Sequence, residues 1–280
     1  MWTRADLKSQ AKVQMKGRYW NYLGVSLIPA LMSYVASIPI SIVTTILVFM
    51  GVMSSSSEFL ESGNFSFFYS ADNFTIDDFE KILEDMRIDD SFTLFRNLIA
   101  TNIFSILANS LVALLVMYPI TVGIMRWYVR ARETNNLPLN VCFSTFKRNS
   151  YLKTVWAMLY YNFWLFIWFL LLWVPGIIKS YSYKMIPFIL ADNPNIGARR
   201  ALKLSNAMTK GHKMDMFVLD LSFIGWYLLG WLACCIGIIA VVPYHHATMA
   251  ELYDVLKKEA VDKGSCTMQE LGYVPLEVDD

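Results

Sequence analysis

An all-α, polytopic transmembrane helical bundle is predicted by three features of this 280-residue chain. Residues 19–57, 97–125 and 154–178 are uncharged runs of 39, 29 and 25 residues. Each exceeds the roughly 20 apolar residues with which a helix crosses a hydrocarbon core. Composition agrees, with 56% of residues hydrophobic, 15% aromatic and only 17% charged, well to the apolar side of globular usage. The net charge of +1 hides a segregation: acids gather between Glu58 and Asp90, and bases dominate almost every other polar segment. Together these predict about six spans, with amphipathic interfacial helices and both termini cytoplasmic.

Residues 1–18 open the chain as a cytoplasmic amphipathic helix. Thr3 and Asp6 form a capping-box pattern, Leu7, Ala11 and Met15 line one face, and Lys8, Lys12 and Lys16 line another. Lysines so placed either meet anionic headgroups or supply ordinary juxtamembrane charge, and both readings put this end in the cytoplasm. The apolar run that follows is too long for a signal-peptide core and lacks a small-x-small cleavage site, so it reads as an uncleaved signal-anchor. Residues 19–53 form the first span, read as one long helix, tilted or kinked at Pro29 or Pro39, in preference to two short ones.

Residues 54–96 carry ten Asp or Glu against three Lys or Arg and are expected outside. Thr75 and Asp78 cap a short amphipathic helix bearing Phe79, Ile82, Leu83 and Met86. The Asp, Asn, Gly and Glu order of an EF-hand is absent, so the acids read as a solvated loop and not as a calcium site. Asn64 and Asn73 head glycosylation sequons. The second span is 97–125, and residues 126–153, with six bases beginning at Arg126, Arg130 and Arg132 against the single acid Glu133, return the chain to the cytoplasm.

Residues 179–213 hold seven bases and one acid. A single crossing by 154–178 would put them outside, against the positive-inside rule. A turn at Val174-Pro175-Gly176 removes the conflict and makes 154–191 a helical hairpin. The same reasoning breaks the last apolar stretch near Cys234 to Gly237, so that 215–256 is a second hairpin and 257–280 a cytoplasmic tail. The segments beginning PGIIK and IGIIA share a weak pattern that reads as two spans leaving a tight turn and not as a repeat. Between the hairpins, 192–214 contains a helix starting at Asn193-Pro194-Asn195 and stopping at Gly211. Ile196, Arg199, Arg200, Lys203 and Met208 make it basic and amphipathic, suited to the inner leaflet.

The segments LKSQAKVQMKGRYW, VPGIIKSYSYKMIPFILADNPNI, ALKLSNAMTKGHKMDMFVLDLSFIGWYLLG and GIIAVVPYHHATMAELY resemble bacterial integral membrane proteins of the domain of unknown function 975 family, over residues 4–20 and 150–256. The resemblance implies a multispan protein of bacterial, mostly Gram-positive, cytoplasmic membranes, similar at a distance to membrane portions attached to some glycerophosphodiester phosphodiesterases. It brings no established activity and no catalytic residue.

Candidate functional residues fall in two groups. Lys179, Lys184 and Asp220 lie inside expected spans, where each charge costs about 2.5–3.5 kcal/mol at a helix centre, and His245 and His246 join them as polar residues of the bundle interior. Depth along two helices pairs Lys184, about 12 Å inside, with Asp220, about 8 Å inside, while Lys179 is expected to reach toward the outer turn. Adjacent histidines point about 100° apart on a helix and do not chelate one ion; Cys142, Cys234, Cys235 and Cys266 form no C-x-x-C pair, and the adjacent two read as small hydrophobes. Tyr181, Tyr183, Tyr227, Tyr244, Trp226 and Trp231 read as belt or packing residues, and Gly225 and Gly230 as sites of close helix contact. The second group, Lys8, Lys12, Lys16, Arg199, Arg200 and Lys203, is expected to contact anionic lipid. No nucleophile elbow, P-loop or zinc-protease motif is present in the sequence. The expectation is a non-enzymatic membrane component, with no cofactor, metal or nucleic-acid partner, that engages anionic lipid or a partner protein; the rival is a transporter moving a solute or lipid through the polar interior.

Overall fold

The computed structural model describes residues 2–61, 95–134, 137–146, 148–232 and 236–272. The Thr75–Asp78 capping box, both sequons and the Cys234–Cys235 pair lie outside them. The described residues are helical, without strands, as the composition predicts. In chain order the helices are α1 (Arg4–Met15), α2 (Tyr19–Glu61), α3 (Phe95–Arg130), α4 (Arg148–Leu171), α5 (Trp173–Tyr183), α6 (Ile186–Asp192), α7 (Ala198–Met208), α8 (Lys213–Leu232) and α9 (Ile236–Asp262). Two compact units result, one of residues 1–32 with 114–280 and one of residues 33–113.

In the smaller unit, Thr44, Thr45 and Val48 of α2 share a small cleft with Thr101, Asn102 and Ser105 of α3. The polar side chains bond carbonyls of their own helices, as Thr45 does to Ser41 O at 2.7 Å and Thr101 to Asn97 O at 2.6 Å. Small, internally satisfied polar residues let helices approach closely where no water is available. α2 is one helix through Pro29 and Pro39, in line with the single-helix reading.

In the larger unit α1 forms as expected: Thr3 is the N-cap, its hydroxyl accepts from Asp6 N–H at 3.2 Å, and Leu7, Ala11 and Met15 are buried against α9. The centre of the core is the end of α3, where Ile120, Val122, Ile124, Trp127 and Tyr128 are buried on every side. An eight-residue 3₁₀ segment, Leu139–Phe146, packs across it. Ile186, Ile189 and Leu190 of α6, Leu204 of α7 and Ala250 to Tyr253 of α9 complete the core.

Among the described residues four helices are long and apolar enough to cross a membrane: residues 19–50, 95–130, 150–171 and 213–232. The six of the sequence reading are not reached, because α5 and α6 are separate short pieces and α9, though 27 residues long, is not apolar enough. Pro187 explains the first break: it has no N–H to give and its ring clashes with the carbonyl four residues earlier, so the chain turns at Lys184 and Met185. The first hairpin also turns earlier than expected, at Leu172, whose extended φ of −161° caps α5. Pro175 sits in the first helical turn, where an N–H would have no intrahelical partner, so Val174-Pro175-Gly176 begins a helix and does not make the turn. α7 likewise starts after Gly197 and not at Asn195, since Asn193 Oδ1 accepts Asn195 N–H at 2.8 Å in a local turn and Gly197 takes a positive φ of 72°.

Gly123 is where α3 meets the 3₁₀ segment, and a Cβ there would lie 1.8 Å from the Cys142 carbonyl oxygen, whereas Gly225 has open space within 4 Å. Close contact is thus made by Gly230, against Gly237, and not by Gly225. Gly123→Ala should lower the thermal midpoint of the detergent-solubilised protein by an overpacking cost of at least about 1–3 kcal/mol. Gly225→Ala should leave it unchanged or raised by up to about 1 kcal/mol. Equal midpoints for the two variants would mean that the α3 contact is not close.

Candidate functional site

Lys184 and Asp220, the two charges paired by depth, are in contact through Lys184 Nζ and Asp220 Oδ2. The same oxygen accepts from Tyr181 OH at 3.0 Å, and His245 Nε2 lies 3.2 Å from Oδ1. One carboxylate thus joins α5, the α5–α6 break, α8 and α9. The pair is about a quarter exposed on each side. Lys8 continues the cluster from α1, with its ammonium 4.4 Å from the centre of the Phe223 ring and 3.4 Å from Ser222 O; the Phe223 ring is 4.9 Å from His245. His246 meets the cluster only through the His245 ring, 6.0 Å away, and also packs 5.5 Å from Tyr128. Among the described residues no three His, Cys, Asp or Glu side chains converge on a point where an ion could sit.

Lys179 departs from the expectation that it reaches the outer turn. Its ammonium stands 4.8 Å from the centre of the Trp168 ring, and it shares a cleft of about 310 Å³ with Arg199 and Lys203 of α7. The reason is the shortness of α5: with the turn at Leu172, Lys179 is only seven residues from the tip, level with α7. Of the remaining α7 bases, Arg200 is held by Glu270 in a two-pronged pair of 2.6 and 2.9 Å and also donates to Ser265 O. Lys12 faces the Tyr244 ring at 5.7 Å; Lys16 is exposed.

Sequence reasoning missed the charges that hold the core. Arg126 is 8% exposed and donates to Ala191 O at 2.6 Å, Ser144 Oγ at 2.8 Å and Leu190 O at 3.5 Å, closing the carbonyl end of α6 with a positive charge, as helix ends favour. Arg132 bridges Glu251 at 3.1 Å and Asp254 at 2.8 Å, and Gln14 bonds the other Glu251 oxygen. Asp192 accepts from Lys257 at 2.6 Å and Tyr253 at 2.9 Å. Their sequence signal was visible only as positive charge following a span, and the acids that answer it lie more than 60 residues away.

Truncating one member of a partly buried pair leaves the other charge unanswered. Lys184→Met and Asp220→Leu should each lower the thermal midpoint, by about 1–3 kcal/mol, and the double variant should recover part of the loss; additive losses would show that the contact contributes nothing. At the tail, hydrogen bonds from Arg200 hold the Glu270 carboxyl below the usual range, and those from Lys263 and His212 do the same for Glu259. A depressed folded-state pKa stabilises above the unfolded value and is lost as pH falls through the folded one. Hydrogen-exchange protection factors at residues 263–272, corrected for the intrinsic pH dependence of exchange, should therefore be high at neutral pH and fall below about pH 4 before the α3 core responds. Simultaneous loss would mean that these carboxylates do not secure the tail.

No curated protein and no solved structure matches the chain. A family described as "Protein of unknown function (DUF975)" matches residues 1–260, which extends the resemblance of the two outer segments through the acidic stretch and both long spans. The chain belongs to the DUF975 family.

Proposed function

We propose that this protein is a non-enzymatic component of the bacterial cell membrane whose basic inner face engages anionic lipid. α2 and α3 cross the bilayer, residues 54–96 face outward, both hairpins return to the side they entered, and both termini are cytoplasmic. The observation that carries the reading is the division of labour among the bases. Arg126 is spent on helix carbonyls, and Arg132, Lys184, Arg200 and Lys257 on acids, whereas Lys16, Arg199 and Lys203 remain exposed, with no acidic partner among the described residues. They stand in a unit that also exposes large apolar side chains, among them Leu170, Leu172 and Trp173. Uncovered cations beside apolar helix surface suit a headgroup boundary, where each is worth about 1 kcal/mol toward anionic lipid.

Transport through a polar interior has a weaker footing, because Lys184, Asp220, Tyr181 and His245 satisfy one another. A transporter reconstituted in vesicles would move solute or lipid down a gradient; absence of flux across a broad panel leaves the lipid-engaging reading in place. Phosphatidylglycerol should raise the thermal midpoint of the solubilised protein above that in phosphatidylcholine, since a ligand bound by the folded state stabilises it. Replacing Lys16, Arg199 and Lys203 with glutamine should remove most of that difference. Replacing Lys8, Lys12 and Arg200 should lower the midpoint in both lipids equally. No preference for phosphatidylglycerol in the unaltered protein would end this reading.

A further inference from the structure

The geometry points to a binding site for the phosphate headgroup of one anionic phospholipid in the cleft between α4, α5 and α7. This deepens the lipid-engaging reading above and rests on it. Three cations from two helices converge there: Lys179 from α5, and Arg199 and Lys203 from α7. Among the described residues no acid lines the cleft and neither α7 cation has an acidic partner. Arg199 and Lys203 stand at i and i+4, a spacing at which like charges repel, and Lys179 faces them across the gap. The neighbouring Arg200 shows the contrast, turned away onto Glu270. Such an arrangement is electrostatically complete only with an anion, and a phosphate offers several acceptor oxygens to a guanidinium and two ammonium groups.

The opposite wall is aromatic. Tyr160, Trp164 and Trp168 recur at i, i+4 and i+8 on α4, one stripe of one helix face, and all three line the cleft. Tyrosine and tryptophan rings with a polar edge settle at the level of headgroups. A volume of about 310 Å³ lies at the small end of ligand sites and suits a phosphoglycerol group better than a whole lipid.

The acyl chains have a place directly beyond. Counting outward from the turn at Leu172, Lys179 lies level with Leu165, seven residues from the tip, or about 10 Å of helix. Phe166, Leu170, Leu171, Leu172, Trp173 and Val174 on that tip are all more than 60% exposed. One leaflet is half of a core about 30 Å thick. With the cations at the phosphate level, the tip therefore ends inside the same leaflet, and Lys184 with Asp220, five residues farther from the tip than Lys179, stands clear of the hydrocarbon. The first hairpin thus dips into the inner leaflet and presents lipid-facing apolar surface above a cationic cleft, which assigns the phosphate to a lipid and not to a soluble metabolite.

The test is native mass spectrometry of the full-length protein in neutral detergent, titrated with dihexanoyl-phosphatidylglycerol, dihexanoyl-phosphatidylcholine, glycerol 3-phosphate and inorganic phosphate. Lys179→Gln/Arg199→Gln/Lys203→Gln should weaken phosphatidylglycerol binding about 100-fold, at roughly fivefold per basic residue, while Arg4→Gln/Lys210→Gln/Lys258→Gln, equal in charge, should change it less than threefold. Lys179→Arg/Lys203→Arg should keep the affinity, which guards against loss through misfolding. Equal losses in the two triple variants would overturn the cleft and leave diffuse lipid attraction standing. Glycerol 3-phosphate or phosphate binding as tightly as the short-chain lipid would overturn the lipid as occupant. No preference for phosphatidylglycerol over phosphatidylcholine in the unaltered protein would overturn both the cleft and the broader reading. In vesicles, tryptophan at position 173 of a variant whose other tryptophans are phenylalanine should be quenched by lipids brominated near the middle of the inner-leaflet chains; quenching only from the outer leaflet would overturn the depth argument.

Discussion

The carboxylate of Asp220 is where the two hairpins are tied together. Its oxygens face Lys184 and Tyr181 from the first hairpin and His245 from the returning arm of the second, so moving α8 by one residue along its axis, about 1.5 Å, would break every one of these contacts at once. A quarter-exposed pair of this kind adds little net energy, because both charges have given up part of their water. What it supplies is register. Once Asp220 and Lys184 share a level, the heights of the Leu172 turn and of the Leu232 end of α8 follow from helix rise alone, and so does the height of Lys179 and the cleft beside it.

Around that tie, the backbone breaks at prolines are answered one by one. Pro119 can give no N–H to Leu115 O, the helix widens to π form over Ala113–Met117, and Tyr151 OH takes the freed carbonyl at 2.8 Å. Pro187 interrupts the first hairpin after Tyr183, and the carbonyl of Ser182 accepts instead from Ser205 Oγ at 2.8 Å and Thr209 Oγ1 at 3.3 Å. In surroundings poor in water an open carbonyl costs several kcal/mol, so these hydroxyls decide which helix packs beside each break. Ser205 and Thr209 are thereby the residues that dock the basic helix α7 against the first hairpin.

Features governed by local chemistry were legible in the sequence. The Thr3 cap with its Leu7, Ala11 and Met15 face and the long uncharged helices need only periodicity and capping to be seen. The pairing of Lys184 with Asp220 was also within reach, because two helices joined by one connector share a depth scale. What could not be read was where a proline acts. Pro175 looks identical in sequence whether it makes a turn or occupies the first turn of a helix, and the choice moves the hairpin tip from residue 175 to Leu172. That shift of three residues changes the environment of Lys179 from the outer boundary to the α7 cleft. Partners such as Glu251 for Arg132, or Glu270 for Arg200, are separated by 119 and 70 residues and leave no local pattern.

Charge counting along a membrane chain therefore carries two kinds of information that the sequence merges. The six bases of residues 126–153 enter the expected orientation as positive charge, yet Arg126 and Arg132 are buried or nearly so and act as hydrogen-bond donors inside the protein. Orientation is governed by charge counted as the chain inserts, before such partners are met, whereas affinity for a headgroup depends on the cations left over after folding. By that second count α7 contributes Arg199 and Lys203 and not Arg200, and α1 contributes Lys16 while Lys8 and Lys12 turn toward aromatic rings. The surviving α7 cations are those that Ser205 and Thr209 carry against the Trp164 and Trp168 face of the hairpin. The tie at Asp220, the break at Pro187 and the cationic cleft are in this way successive consequences of one requirement, that each charge and each freed carbonyl withdrawn from bulk water find a partner.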